Sequence, residues 1–177
     1  MKKLIDDKII LRSIVTKKLS KKEIKKICSL KDKQWRFGIK SQIKWFEDNV
    51  KKNDYHNLFY VKSKLVGYTL LRKRTCLIGN LNKKDKYILF DTMVIDKSYR
   101  KKKFSNLLMN FNNKVIKKLG FFSFLICKDE LVNFYFKNKW KILHKKKFFI
   151  ADKLHSLNGM IYNKLHLDKK IVFYTNS

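Results

Sequence analysis

The residues best placed to do chemistry lie between Asp91 and Leu108, in the run D-T-M-V-I-D-K-S-Y-R-K-K-K-F-S-N-L-L. An apolar, strand-like stretch ends in a short turn. Arg100 and a basic loop follow, and a helix opens near Ser105. A helix N-terminus presents backbone N–H groups, and fixed positive charge beside it favours an anion, so this segment predicts a pyrophosphate cradle. The glycines usual in such cradles are replaced by lysine and serine. Asp91 is an acid inside the apolar run F-D-T-M-V-I, a place that packing does not explain, and it is a candidate general base. His56, in N-D-Y-H-N-L-F-Y, is the second candidate, because imidazole titrates near neutrality. The choice between the two stays open at this level.

The elements that must position these groups follow from periodicity. Residues 8–15 read as a strand. Ser20 caps a helix, Glu23 completes a capping box, and Ile24, Ile27 and Leu30 share one face. Ser41 reads as a second N-cap. Residues 58–62 and 65–74 read as a hairpin joined near Ser63–Lys64, and residues 75–85 as a polar loop. A long strand is expected over 87–95, a helix over 104–119 ended by Gly120, and a buried strand over 121–127. A short helix over 130–138, strands over 140–150 and 170–174, and a helix over 155–165 complete the reading. The class is mixed α/β (α+β). Without alternating βαβαβ units or G-x-G-x-x-G, it is not a doubly wound dinucleotide fold.

Composition bounds the rest. A chain of 177 residues is expected to form one domain, with a core over 8–150 and a C-terminal extension over 151–177. With 45% hydrophobic and 14% aromatic residues, disorder is excluded. No apolar run approaches the length of a membrane span, and Asp6 and Asp7 break up the N-terminal stretch, so neither membrane insertion nor a signal peptide is expected. Cys28, Cys76 and Cys127 form no paired spacing, which fits buried thiols in a reducing cytoplasm. No histidine lies at ligand-like spacing with cysteine or acid, so no metal is expected. The net charge of +30 ordinarily points to nucleic acid or an anionic surface. Here lysine supplies nearly all of it and is spread along the chain, proline is absent, and Ala151 is the only alanine. That is the pattern of A/T-rich coding rather than of a nucleic-acid reader, which concentrates arginine.

The element order and two motifs together resemble the GNAT acyl-CoA N-acyltransferase family over roughly residues 8 to 150. Such enzymes show R/Q-x-x-G-x-G/A opening a helix. Here Arg100 matches, Lys103 stands at the central glycine, and Ser105 stands where Gly or Ala is usual. A second family segment, aromatic-Tyr-x-x-x-Gly-Phe, resembles Phe134-Tyr135 with Lys139-Trp140 in place of Gly-Phe, and Gly67-Tyr68 matches a third. The resemblance implies a central sheet of about six to seven strands flanked by about four helices, with two parallel strands splayed around a pantetheine arm. Backbone at Met93, Val94 and Ile95 would meet that arm, and Arg100, Lys101, Lys102, Lys103, Phe104 and Ser105 would hold the pyrophosphate of acetyl-CoA, the acyl donor. Lys103 is expected to keep a helical backbone while offering its N–H to phosphate. Tyr135 would be the general acid or orient the sulfur. The family's frequent glutamate falls at Leu89, on the same strand face as Asp91, which could substitute for it.

In that fold the first two helices lid the acceptor site. They carry Trp35, Arg36, Gln42 and Trp45, and flat apolar faces with directional hydrogen-bonding groups suit a sugar. The expected function is acetyl-CoA-dependent N-acetylation of a small-molecule amine, an amino sugar or nucleotide-linked amino sugar of the kind used in surface-polysaccharide pathways, by a cytoplasmic monomer or homodimer. The alternatives are a protein or peptide amine as acceptor, and a basic nucleic-acid- or ribosome-associated module without turnover.

Overall fold

The structure, a computed structural model, describes residues 8–79, 84–100, 103–151, 156–163 and 169–176. Its elements are β1 (Ile9–Val15), α1 (Lys21–Trp35), α2 (Ile39–Asn49), β2 (Tyr55–Val61), β3 (Lys64–Ile78), β4 (Lys84–Ile95) and α3 (Phe104–Leu119). There follow β5 (Ser123–Cys127), α4 (Asp129–Lys137), β6 (Lys141–Leu143), β7 (Phe148–Ile150), β8 (Asn158–Tyr162) and β9 (Ile171–Phe173). The strands hydrogen-bond in the order β1-β2-β3-β4-β5-β8-β6, with β9 joined to β3 and β7 off that path. The class is mixed α/β, as expected. The chain divides into two compact units, one of residues 1–71 and 92–112, the other of residues 72–91 and 113–177. No described helix is long and apolar enough to cross a membrane.

In the first unit, the Ser20 side chain accepts the Glu23 N–H at 3.2 Å and the Glu23 carboxylate accepts the Ser20 N–H at 2.9 Å, so the capping box is formed. This satisfies donors that the first turn of α1 would otherwise leave unpaired. The expected cap of the second helix moves. Gly38, not Ser41, is the N-cap of α2. Gly38 has φ +85°, which suits glycine, and its N–H donates to Asp32 Oδ1 at 2.7 Å. The hairpin turn also moves by one residue, to Lys62 and Ser63, whose φ values of 48° and 67° give the twist a two-residue hairpin favours. Strand alternation then sorts the core. Leu58, Tyr68, Leu70 and Val94 pack with Ile27 and Leu30 of α1. Phe59, Val61, Val66 and Ile95 pack with Leu108 of α3. The two helices therefore cover opposite faces of this part of the sheet.

In the second unit, β4 and β5 run parallel, but their register covers only Ile88↔Ser123 and Leu89↔Phe124. Beyond that point β5 continues to pair on its other edge with β8, from Ser123↔Tyr162 to Cys127↔Asn158. The helix expected over 155–165 is therefore a strand over Asn158–Tyr162, and residues 155 and 164–165 lie outside the described ones. Close approach supplies the reason. A Cβ on Gly159 would sit 2.6 Å from the Phe148 ring and 3.0 Å from Phe124, so bare backbone is needed where those rings cross. The strand expected over 140–150 is broken by a 3-10 turn at Lys145–Lys147. The loop expected from Thr75 is instead the end of β3, because Cys76, Leu77 and Ile78 pair with β9. All three cysteines are buried, and none forms a disulfide.

Candidate active site

The turn after β4 is built on Asp96. Its Oδ1 accepts the Ser98 N–H at 3.1 Å and the Ser98 hydroxyl at 2.8 Å, while Lys33 of α1 donates to Oδ2 at 2.9 Å. Burial opposes its ionised form, but Lys33 and Ser98 outweigh it and hold the carboxyl down at about 2. Arg100 donates through Nε to the Ile95 carbonyl at 3.2 Å and through Nη2 to Gln34. Its guanidinium thus braces the loop against α1. Asp96, Lys33 and Gln34 had no role in the sequence reading. Asp-x-Ser is a turn signal in itself, but its lysine partner is 63 residues away.

Lys101 and Lys102 lie outside the described residues. Lys103 is exposed, and its carbonyl accepts the Leu107 N–H at 3.1 Å, so it closes the first turn of α3. Phe104 is fixed edge-on to Phe59 at 5.1 Å. Next to it Ser105 is the second residue of the helix, whose first turn carries no acid to compete with an anion. The helical backbone expected at Lys103 is not found: φ is +58°. Lysine holds the left-handed conformation that glycine favours at that place. The same occurs at Lys139, where φ is +70°, the Lys139 N–H reaches the Phe136 carbonyl at 2.9 Å and the Trp140 N–H reaches the Tyr135 carbonyl at 3.1 Å. These two bonds form a Schellman ending to α4. At both positions where the resemblance has glycine, lysine stands at positive φ. A side chain in this region costs about 1–2 kcal/mol, partly offset by its lower entropy when unfolded. Lys103→Gly and Lys139→Gly are each expected to raise stability by about 0.5–1 kcal/mol, read from denaturant midpoints.

In the second unit, Asp91 is half-buried, and Arg72 donates to its Oδ2 at 2.6 Å. Tyr135 is buried in an aromatic cluster, with Phe90 edge-on at 6.1 Å and Trp140 at 6.0 Å. Trp140 is itself pinned by its indole N–H to Asn113 Oδ1 at 3.0 Å. Burial pushes the Tyr135 phenol well above its ordinary value, and Cys127 adds to the effect, so the hydroxyl stays protonated. The Cys127 thiol is itself pushed up to about 11, by burial first and Asp129 second.

In the first unit, Met93 is half-buried and Val94 and Ile95 are buried, side by side on β4. His56 sits apart from them with no exposed surface. Its Nε2 lies 2.9 Å from Thr16 Oγ1 and its Nδ1 2.8 Å from the Tyr68 hydroxyl, with Phe46 stacked at 5.5 Å. Because Thr16 donates to the Asp54 carbonyl, its oxygen accepts from Nε2–H, and Tyr68 donates to Nδ1. Of the acceptor candidates, Trp35 and Arg36 are exposed at the end of α1. Gln42 and Trp45 point inward instead. Gln42 is 3% exposed, and the Lys31 ammonium covers the Trp45 ring at 3.7 Å.

No family model and no curated protein matches the chain by sequence. Solved structures match it by fold. A GNAT family N-acetyltransferase (YhbS) from Escherichia coli, in complex with CoA, superposes with a TM-score of 0.68 at 9% identity, over 96% of this chain and 90% of that one. This chain has the GNAT fold. An acyl-CoA N-acyltransferase from Pseudomonas aeruginosa gives 0.65 at 12% identity, over 88% of this chain and all of that one. Arabidopsis thaliana Naa50, in complex with the bisubstrate analogue CoA-Ac-MVNAL, gives 0.57 at 15% identity, over 88% and 99%. At such identities the likeness fixes the fold alone.

Proposed function

We propose that this chain is an acetyl-CoA-dependent N-acetyltransferase. The observation that carries the reading is the left-handed backbone at Lys103, a conformation that glycine favours, before a helix N-terminus free of acid. Such a terminus suits a pyrophosphate. The residues present fit the donor: Phe104 and Ser105 offer main-chain N–H groups, Lys103 adds charge, and Met93, Val94 and Ile95 offer backbone along β4. When bound, acetyl-CoA supplies a thioester whose acyl group can pass to a primary amine.

The chain's own residues then divide the proton work. Tyr135, kept protonated by burial, donates from its hydroxyl to the departing sulfur. Asp91 is the better-supported base, taking the amine proton directly or through water, with Arg72 holding the carboxylate in place. His56 supports this less well, since both ring nitrogens are engaged and the ring is wholly buried. Exposed Trp35 and Arg36 support an amino-sugar acceptor, nucleotide-linked or free, by stacking and by anion pairing.

Calorimetry with acetyl-CoA is expected to give saturable binding in the micromolar to sub-millimolar range, about that usual for metabolic enzymes. Free-thiol release should then rise with amino sugars more than with peptide amines. Absence of acetyl-CoA binding together with salt-sensitive RNA binding would instead establish a basic module without turnover.

A further inference from the structure

A second basic site lies on the other face of the first unit. Lys22, Lys25, Lys26 and Lys33 of α1 line a pocket of about 430 Å³, joined by Lys64 at the start of β3. The spacing of these residues places them on one side of the helix, so the crowding of charge is built by the fold. Only part of that charge is answered. Lys33 is paired with Asp96 at 2.9 Å, and the Lys64 ammonium lies 5.2 Å from the centre of the Tyr99 ring. Lys22, Lys25 and Lys26 have no carboxylate partner among the described residues. Five ammonium groups around one cavity repel one another, and a multiply charged anion would relieve that repulsion.

We propose that this pocket binds a phosphorylated small molecule carrying at least two negative charges. Ammonium groups on flexible stems suit phosphate oxygens, and the hydroxyls of Ser29 and Ser63 add neutral hydrogen bonds at the rim. Leu30 and Leu65 form an apolar floor on which the rest of the ligand lies. The volume is that of a small-molecule site rather than a duplex groove. It adjoins the turn after β4 through Lys33 and Lys64, but no residue of the loop before α3 lines it. α1 packs on the sheet face of Leu58 and Val94, and α3 packs on the face of Phe59 and Ile95.

The test titrates inorganic pyrophosphate and tripolyphosphate into the full chain with CoA present, so that the donor's phosphate site is occupied. Saturable binding is expected, tighter for tripolyphosphate and weaker as salt rises. Lys25→Glu with Lys26→Glu is expected to weaken it by at least about tenfold, since two attractive contacts become repulsive. Lys117→Glu with Lys118→Glu, an equal charge change on α3, is expected to alter it less than about twofold. Acetyl-CoA affinity should be unchanged in both. Lys22→Gln with Lys26→Gln provides the same contrast without charge reversal should the first variant fold poorly. Equal losses in the α1 and α3 variants would overturn the site in favour of general surface charge. Loss of acetyl-CoA binding in the α1 variant would overturn it in favour of the donor loop. An RNA oligomer that binds and is not displaced by pyrophosphate would overturn it in favour of a nucleic-acid surface.

Discussion

Tyr135→Phe is expected to lower kcat by about 10²- to 10³-fold with little change in acetyl-CoA affinity, the loss usual for a positioned proton donor. The substitution removes one oxygen from a ring that is otherwise held by Phe90 and Trp140, so the aromatic packing survives. The remaining barrier must then be crossed without a proton for the departing sulfur. Acetyl-CoA binding measured by calorimetry, beside single-turnover acetylation, separates the two effects. An unchanged rate would remove Tyr135 from the chemistry and leave it as a core aromatic. A fall in rate matched by a fall in donor affinity would make it a binding residue instead. The leaving-group role further predicts that thioesters of more acidic thiols lose less rate in the variant than acetyl-CoA does.

Stability is expected to drop as pH falls from about 6.5 to 4, and His56 is the reason. Unfolded, its imidazole protonates near its ordinary value of about 6.5. Folded, burial first and Lys31 second hold it down to about 4, against the opposing pull of Asp54. Between these values the unfolded chain binds more protons, so protonation favours unfolding. The stabilisation is complete above the upper value and gone at the lower one. A shift of that size corresponds to about 3 kcal/mol. Asp96 acts in a separate window. Its folded carboxyl lies at about 2, so its contribution is lost only below its ordinary value of 3.8. Urea unfolding of the wild type and His56→Gln across pH 7 to 4 checks this: the wild-type loss should exceed that of the variant by most of the His56 contribution. Parallel curves would mean that His56 titrates alike in both states.

Some of the fold was legible because local rules decided it. Ser20 and Glu23 announce their helix three residues apart, and the apolar stripe of α3 and the alternation along β4 name their own faces. The fold class followed from such signals. The misreadings have a common cause. Residues 158–162 carry a periodicity compatible with a helix, and only the strand edges of β5 and β6 make them β8. Gly38 displaced Ser41 as a cap because Asp32, six residues back, receives its N–H. Residues 75–78 read with the polar stretch that follows them, and pairing of Cys76, Leu77 and Ile78 with β9 makes them the end of β3.

The site divides along the same line. The chain alone marked Asp91, Arg100, Ser105 and Tyr135, since residue type and spacing are local information. It also showed that glycine is missing at positions 103 and 139. Whether the missing glycines meant a lost conformation was decided by tertiary structure. Both lysines stand at positive φ, Lys139 within the α4 ending where the Trp140 N–H reaches the Tyr135 carbonyl. A backbone penalty of about 1–2 kcal/mol is small beside the packing that imposes it. The pairing of Asp91 with Arg72 and the burial of His56 were likewise settled by partners distant in sequence, whose positions no local pattern encodes.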